Sequence, residues 1–135
     1  MAELNGGNLA ARRPLSPHLS VYRPMMTMMM SIAHRITGGA LYVGTILLVW
    51  YLLAAASGGA AFSTASSFLG SIFGQFILLC FTFAFLHHFF GGVRHMIWDA
   101  GYGLDHPMRE YLAVGTLAAS LACTVILFAA AHFIG

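Results

Sequence analysis

Lysine is absent from this sequence. Six arginines and four acids are all its fixed charge, and charged residues make up 7% of the 135 positions. A water-soluble domain of this length needs a far larger polar surface, so that class is excluded. No basic run is present to meet a phosphate backbone, so no nucleic-acid partner is expected. Cysteine occurs twice. Cys80 and Cys123 have no C-x-x-C spacing, and neither a disulfide nor a redox motif is expected. No internal repeat and no cleavable signal segment stand out.

What is present is hydrophobic, 59% of the chain. Gly38 to Ala56, Phe68 to Val93 and Tyr111 to Gly135 are uncharged runs, and Met25 to Ile36 prolongs the first. Each is on the scale of the ~20 residues that cross a ~30 Å hydrocarbon core. The reading is an all-α integral membrane protein with three transmembrane helices, at about residues 25–56, 68–98 and 109–134. Residues 1–24 form a tail broken by Pro14, Pro17 and Pro24. "SGGAAFSTASS" reads as a flexible outer loop, and "AGYGLDHP" as an inner turn.

Arginine sets the orientation. Arg12, Arg13, Arg23 and Arg35 precede or open the first helix, and Arg94 and Arg109 flank the second connection. The first connection has no charge. The positive-inside rule places the N-terminus in the cytoplasm and the C-terminus outside. Gly70 with Gly74, and Ala40 with Gly44, are small-residue pairs that let helices approach closely.

Ionisable groups within a span are costly and therefore candidates for function. In "HHFFGGVRHMIWD", His88, Gly92, His95 and Asp99 share one helix face, and His87, Gly91, Arg94 and Trp98 share another. Seven residues rise about 10 Å, the reach from a haem iron to its carboxylate arms. A macrocycle along the first stripe would take His88 as axial ligand, with Gly92 giving room and His95 meeting a propionate. The second stripe has the same spacing, so periodicity leaves the choice open. A proton relay or an interhelical hydrogen bond is the competing use of such histidines.

In "SIAHRITGG", Ser31 and Arg35 lie four apart on one face. A hydroxyl and a guanidinium at the lipid boundary suit the head of a quinone. Met25, Met26, Met28, Met29 and Met30 offer an adaptable wall for it. The plainer reading is a capped helix start with an arginine on lipid phosphate.

"RPLSPHLSVYRP", "SIAHRITGG" and "HHFFGGVRHMIWDAGYG", in that order, resemble the cytochrome b membrane-anchor subunit of succinate dehydrogenase, respiratory complex II. The resemblance implies a haem b with His88 as axial ligand, shared with a second anchor subunit that supplies the other histidine. It implies His34, Arg35 and His95 near the propionates, Ser31 and Arg35 at a ubiquinone site, and Asp99 and Asp105 in proton delivery. It also implies an iron–sulfur subunit and a flavoprotein subunit as partners. His87 receives no role from it. A bacterial inner membrane is expected, with a mitochondrial one as the alternative. A haem-free anchor, a self-contained cytochrome using His34 and His88 together, and a small proton channel remain open alternatives.

Overall fold

The computed structural model describes Pro14, His18 and residues 21–134. Half of the tail motif "RPLSPHLSVYRP", residues 13–24, therefore falls outside the described residues. Helix α1 is Met26–Ser57, α2 is Gly59–Gly70, α3 is Ile72–Asp99 and α4 is Met108–Ile134. Among the described residues there is no strand. Three helices, α1, α3 and α4, are long and apolar enough to cross a membrane. At 1.5 Å per residue, the 32 residues of α1 extend about 48 Å, well beyond a ~30 Å core.

Helix α3 packs against both α1 and α4, and α1 also touches α4. Large apolar side chains point outward: Ile46, Phe73, Val125 and Phe133 are all exposed. Such a surface is stable in lipid and not in water. The α3–α4 seam is built from small and polar residues instead. Helix α4 buries Ala113, Thr116, Ser120 and Thr124, and α3 buries Ala84, His87 and Arg94. The hydroxyls of Thr116, Ser120 and Thr124 donate back to the carbonyls of Leu112, Thr116 and Ser120 at 2.7–2.8 Å. That satisfies them within their own helix and lets α4 lie close to α3.

The first connection differs from expectation. It is not a flexible loop: Gly59–Gly70 forms the twelve-residue helix α2. Gly58 and Gly59 adopt φ of 65° and 53° and break the chain away from α1. The alanine-rich sequence that follows favours helix. Ala65 is fully buried, and Trp50–Phe68 and Tyr51–Phe62 ring contacts tie α2 to α1. The second span consequently starts at Ile72 rather than at residue 68. The Ser71 hydroxyl accepts from the Gly74 amide at 3.1 Å and donates to the Phe68 carbonyl at 2.6 Å, capping α3. A Cβ at Gly74 would collide with the Phe68 carbonyl, whereas one at Gly70 would meet nothing. Gly74 thus serves the α2–α3 turn rather than a contact between spans. Gly44 does make a helix contact, against the Phe81 ring.

At the opposite end, the turn from Ala100 to Pro107 passes through Gly101 and Gly103 at positive φ. The Trp98 indole donates to the Gly103 carbonyl at 3.2 Å and fixes this turn to the end of α3.

Candidate functional site

Three histidines meet between α1 and α3. The His34 and His88 rings stack with centroids 4.0 Å apart and planes 11° off parallel. The His95 ring meets His34 edge-on at 5.3 Å. Two glycines make this packing feasible. A Cβ at Gly38 would lie 2.9 Å from His88 Cε1, and a Cβ at Gly91 would strike His34.

The backbone sets the proton positions. His88 Nδ1 lies 3.1 Å from the His34 carbonyl oxygen, and His34 Nε2 lies 3.2 Å from the His88 carbonyl oxygen. A carbonyl only accepts, so each of these nitrogens donates. Neutral His88 then carries its proton on Nδ1, and Nε2 keeps its lone pair. This is the tautomer that metal-ligating histidines adopt, with the second nitrogen donating to a carbonyl. Nothing lies within 4 Å of a Cβ at Gly92, and His95 and Asp99 on that face are exposed. An imidazole with a free nitrogen beside a bare stretch of helix fits a b-type haem. The His34–His88 separation of 4.0 Å leaves no room for a macrocycle between the two rings.

The rival stripe faces inward. His87 is 1% exposed, stacks on Phe83 and bonds the Ser120 hydroxyl through Nδ1 at 3.2 Å. Ser120 donates its own proton to carbonyls of α4, so His87 Nδ1–H donates to it. His87, for which sequence reasoning had no role, is a link between α3 and α4. Arg94 is 2% exposed and lies over Trp98, with its Cζ 5.1 Å from the ring centroid. It does not extend to water, although its place near the helix end would allow that.

Ser31 is half-buried in the second turn of α1, and Arg35 is exposed one turn further on. Ser31 is not a cap, since that position belongs to Met25. Among the described residues the only ion pair is Arg109–Glu110, so no carboxylate among them pairs with Arg35. Asp99, at the end of α3, and Asp105, in the following turn, are exposed. The structure therefore gathers His34, His88 and His95, leaves Ser31 and Arg35 on the adjoining flank of α1, and puts both aspartates at the helix ends. Sequence reasoning gave Gly38 and Gly91 no packing role. Their signal was faint: each lies four residues from a histidine or shares its stripe in a glycine-rich chain.

Comparison with known proteins gives consistent likenesses. The family described as Succinate dehydrogenase/Fumarate reductase transmembrane subunit matches residues 10–127. The chain is 39% identical over 132 residues to the succinate dehydrogenase cytochrome b556 subunit of Paracoccus denitrificans, covering 95% of this chain and 98% of that one. It is 41% identical over 106 residues to the cytochrome b560 subunit of Reclinomonas americana, covering 73% and 72%. The mitochondrial cytochrome b560 subunit of Sus scrofa is 36% identical over 120 residues, covering 87% and 71%.

Proposed function

The chain belongs to the succinate dehydrogenase/fumarate reductase transmembrane-subunit family, and on that premise we propose that it holds half of a b-type haem and helps form a ubiquinone site. As a membrane-anchor subunit of that enzyme complex, it catalyses nothing alone. The observation that carries the haem assignment is the bond from His88 Nδ1 to the His34 carbonyl, which leaves Nε2 to ligate. The names of the relatives, cytochromes b556 and b560, support it.

When bound, the haem supplies a one-electron redox centre within the membrane. His88 would hold it, together with a histidine supplied by the companion anchor subunit. His34 shapes the His88 side rather than serving as the opposing ligand, because its ring stacks on His88. His95 and Arg35 would hold the propionates.

Ser31 and Arg35 bind an oxygen of the ubiquinone ring. Electrons reach it from the iron–sulfur subunit, which draws them from succinate through the flavoprotein subunit. Negative charge that develops on the ring during reduction meets a fixed guanidinium in a low-dielectric setting. Asp99 and Asp105, exposed at the same end of the bundle, pass protons to the reduced ring. The arginine asymmetry supports a multi-pass placement in a bacterial inner membrane, N-terminus in the cytoplasm and C-terminus outside.

The test is purification of the complex in mild detergent. A flavoprotein, an iron–sulfur protein and a second small membrane subunit are expected to co-purify, with a b-type band in the reduced-minus-oxidised spectrum. The same subunits without that band would leave a haem-free anchor in place of this reading.

A further inference from the structure

Arg94 is an enclosed cation that no anion among the described residues meets. It is 2% exposed, and neither Nε nor Nη1 has a hydrogen-bond partner. Trp98 offers its ring face to the guanidinium carbon. A π face attracts the charge but leaves in-plane N–H donors unsatisfied. No carboxylate among the described residues reaches it: Glu110 pairs with Arg109 at 3.9 Å, and Asp99 and Asp105 are exposed. An unpaired buried charge is costly, so a compensating anion is expected from beyond these residues.

The place where that anion would sit is open. A cleft of about 180 Å³ lies between α3 and α4, with Arg94 in its wall. Phe90, Val93 and Ile97 line it from α3, and Tyr111, Leu112 and Gly115 from α4. Tyr111 and Gly115 are exposed, so the cleft opens sideways between the helices. A Cβ at Gly115 would meet nothing within 4 Å, so the floor of the opening is bare backbone. Arg94 is five residues from the end of α3, roughly 7.5 Å along the axis. That is the depth at which headgroups meet hydrocarbon when helix ends mark the interface. Apolar walls around one buried guanidinium suit a charged head with a hydrocarbon tail. Basic pockets between transmembrane helices recognise anionic phospholipids in this manner.

We propose that the Arg94 cleft between α3 and α4 binds the phosphate headgroup of an anionic phospholipid. The lipid neutralises Arg94 and seals the seam below His87 and Ser120. This site is on the inward stripe of α3, apart from the His88 face, and it stands independently of the haem assignment.

The experiment compares the intact complex with its Arg94→Gln and Gly115→Phe variants. Each is depleted of lipid in neutral detergent and incubated with phosphatidylglycerol or with phosphatidylcholine. Native mass spectrometry then counts retained lipid. The wild type is expected to retain about one more phosphatidylglycerol per complex than either variant, and no extra phosphatidylcholine. Gly115→Phe fills the opening without touching the arginine, and it decides the matter alone if Arg94→Gln fails to assemble. Equal phosphatidylglycerol retention by the wild type and Gly115→Phe overturns the proposal. Equal retention of the two lipids by the wild type does so as well, since the site would then not select charge.

Discussion

His34 and His88 each donate a ring N–H to the other's backbone carbonyl, at 3.2 and 3.1 Å, while their rings stack at 4.0 Å. This reciprocal pair fastens α1 to α3 at the level of the site. It also sets the tautomer of both rings without any carboxylate. In a chain with four acids, backbone carbonyls are the abundant acceptors, and the pair uses them.

The clearance that Gly38 gives to His88 predicts a first outcome. A Cβ there would lie 2.9 Å from His88 Cε1 and 3.3 Å from Nδ1. The imidazole must move, and its bond to the His34 carbonyl is lost. Gly38→Ala is expected to weaken haem retention about tenfold, the usual scale for losing a partner behind a metal ligand. The haem-to-protein ratio of the purified complex during dilution measures it. An unchanged ratio would show that His88 does not depend on this clearance.

Ser120→Ala removes the acceptor of His87 Nδ1 from a fully buried position. The expected cost is about 1 kcal/mol, the scale of interhelical hydrogen bonds in membranes. Thermal unfolding in detergent should start at lower temperature, with the haem spectrum unchanged. Haem loss from a complex of normal stability would instead move His87 into the haem site.

Arg35 is exposed and makes no ion pair among the described residues, so its removal leaves packing intact. Arg35→Ala is expected to lower ubiquinone reduction by about 10²-fold, comparable to deleting one group that stabilises developing charge. Succinate oxidation with a water-soluble dye as acceptor should persist. Normal quinone turnover in this variant would remove Arg35 from the quinone site.

Ala65 is fully buried where α2 meets its neighbours. Ala65→Leu is expected to destabilise the complex by about 1–3 kcal/mol through overpacking. Limited proteolysis between residues 57 and 71 would report the loosening. A variant that resists cleavage as the wild type does would indicate that α2 is not held by this contact.

The three spans were legible because uncharged runs of membrane length leave few alternatives. The histidine stripes were legible as periodicity, but their directions were not. Which face of α3 looks inward depends on the small, hydroxyl-bearing stripe of α4, Thr116, Ser120 and Thr124. Those hydroxyl residues are visible in the sequence, but the face they give α3 emerges only once α4 is placed beside it. Helix α2 was hidden because Gly58 and Gly59 and the serines suggest a loop, while burial of Ala65 and the Trp50–Phe68 contact are tertiary facts. The burial of Arg94 was equally invisible, since a position near a helix end permits either an exposed or an enclosed guanidinium.

Replacing His88 and His87 separately by alanine, and recording reduced-minus-oxidised spectra of the two purified complexes, tests the assignment of the ligand most directly. The account predicts that His88→Ala abolishes or strongly shifts the b-type band, while His87→Ala retains it in a less stable complex. An intact band in His88→Ala together with its loss in His87→Ala would contradict the assignment and transfer the ligand to the inward stripe.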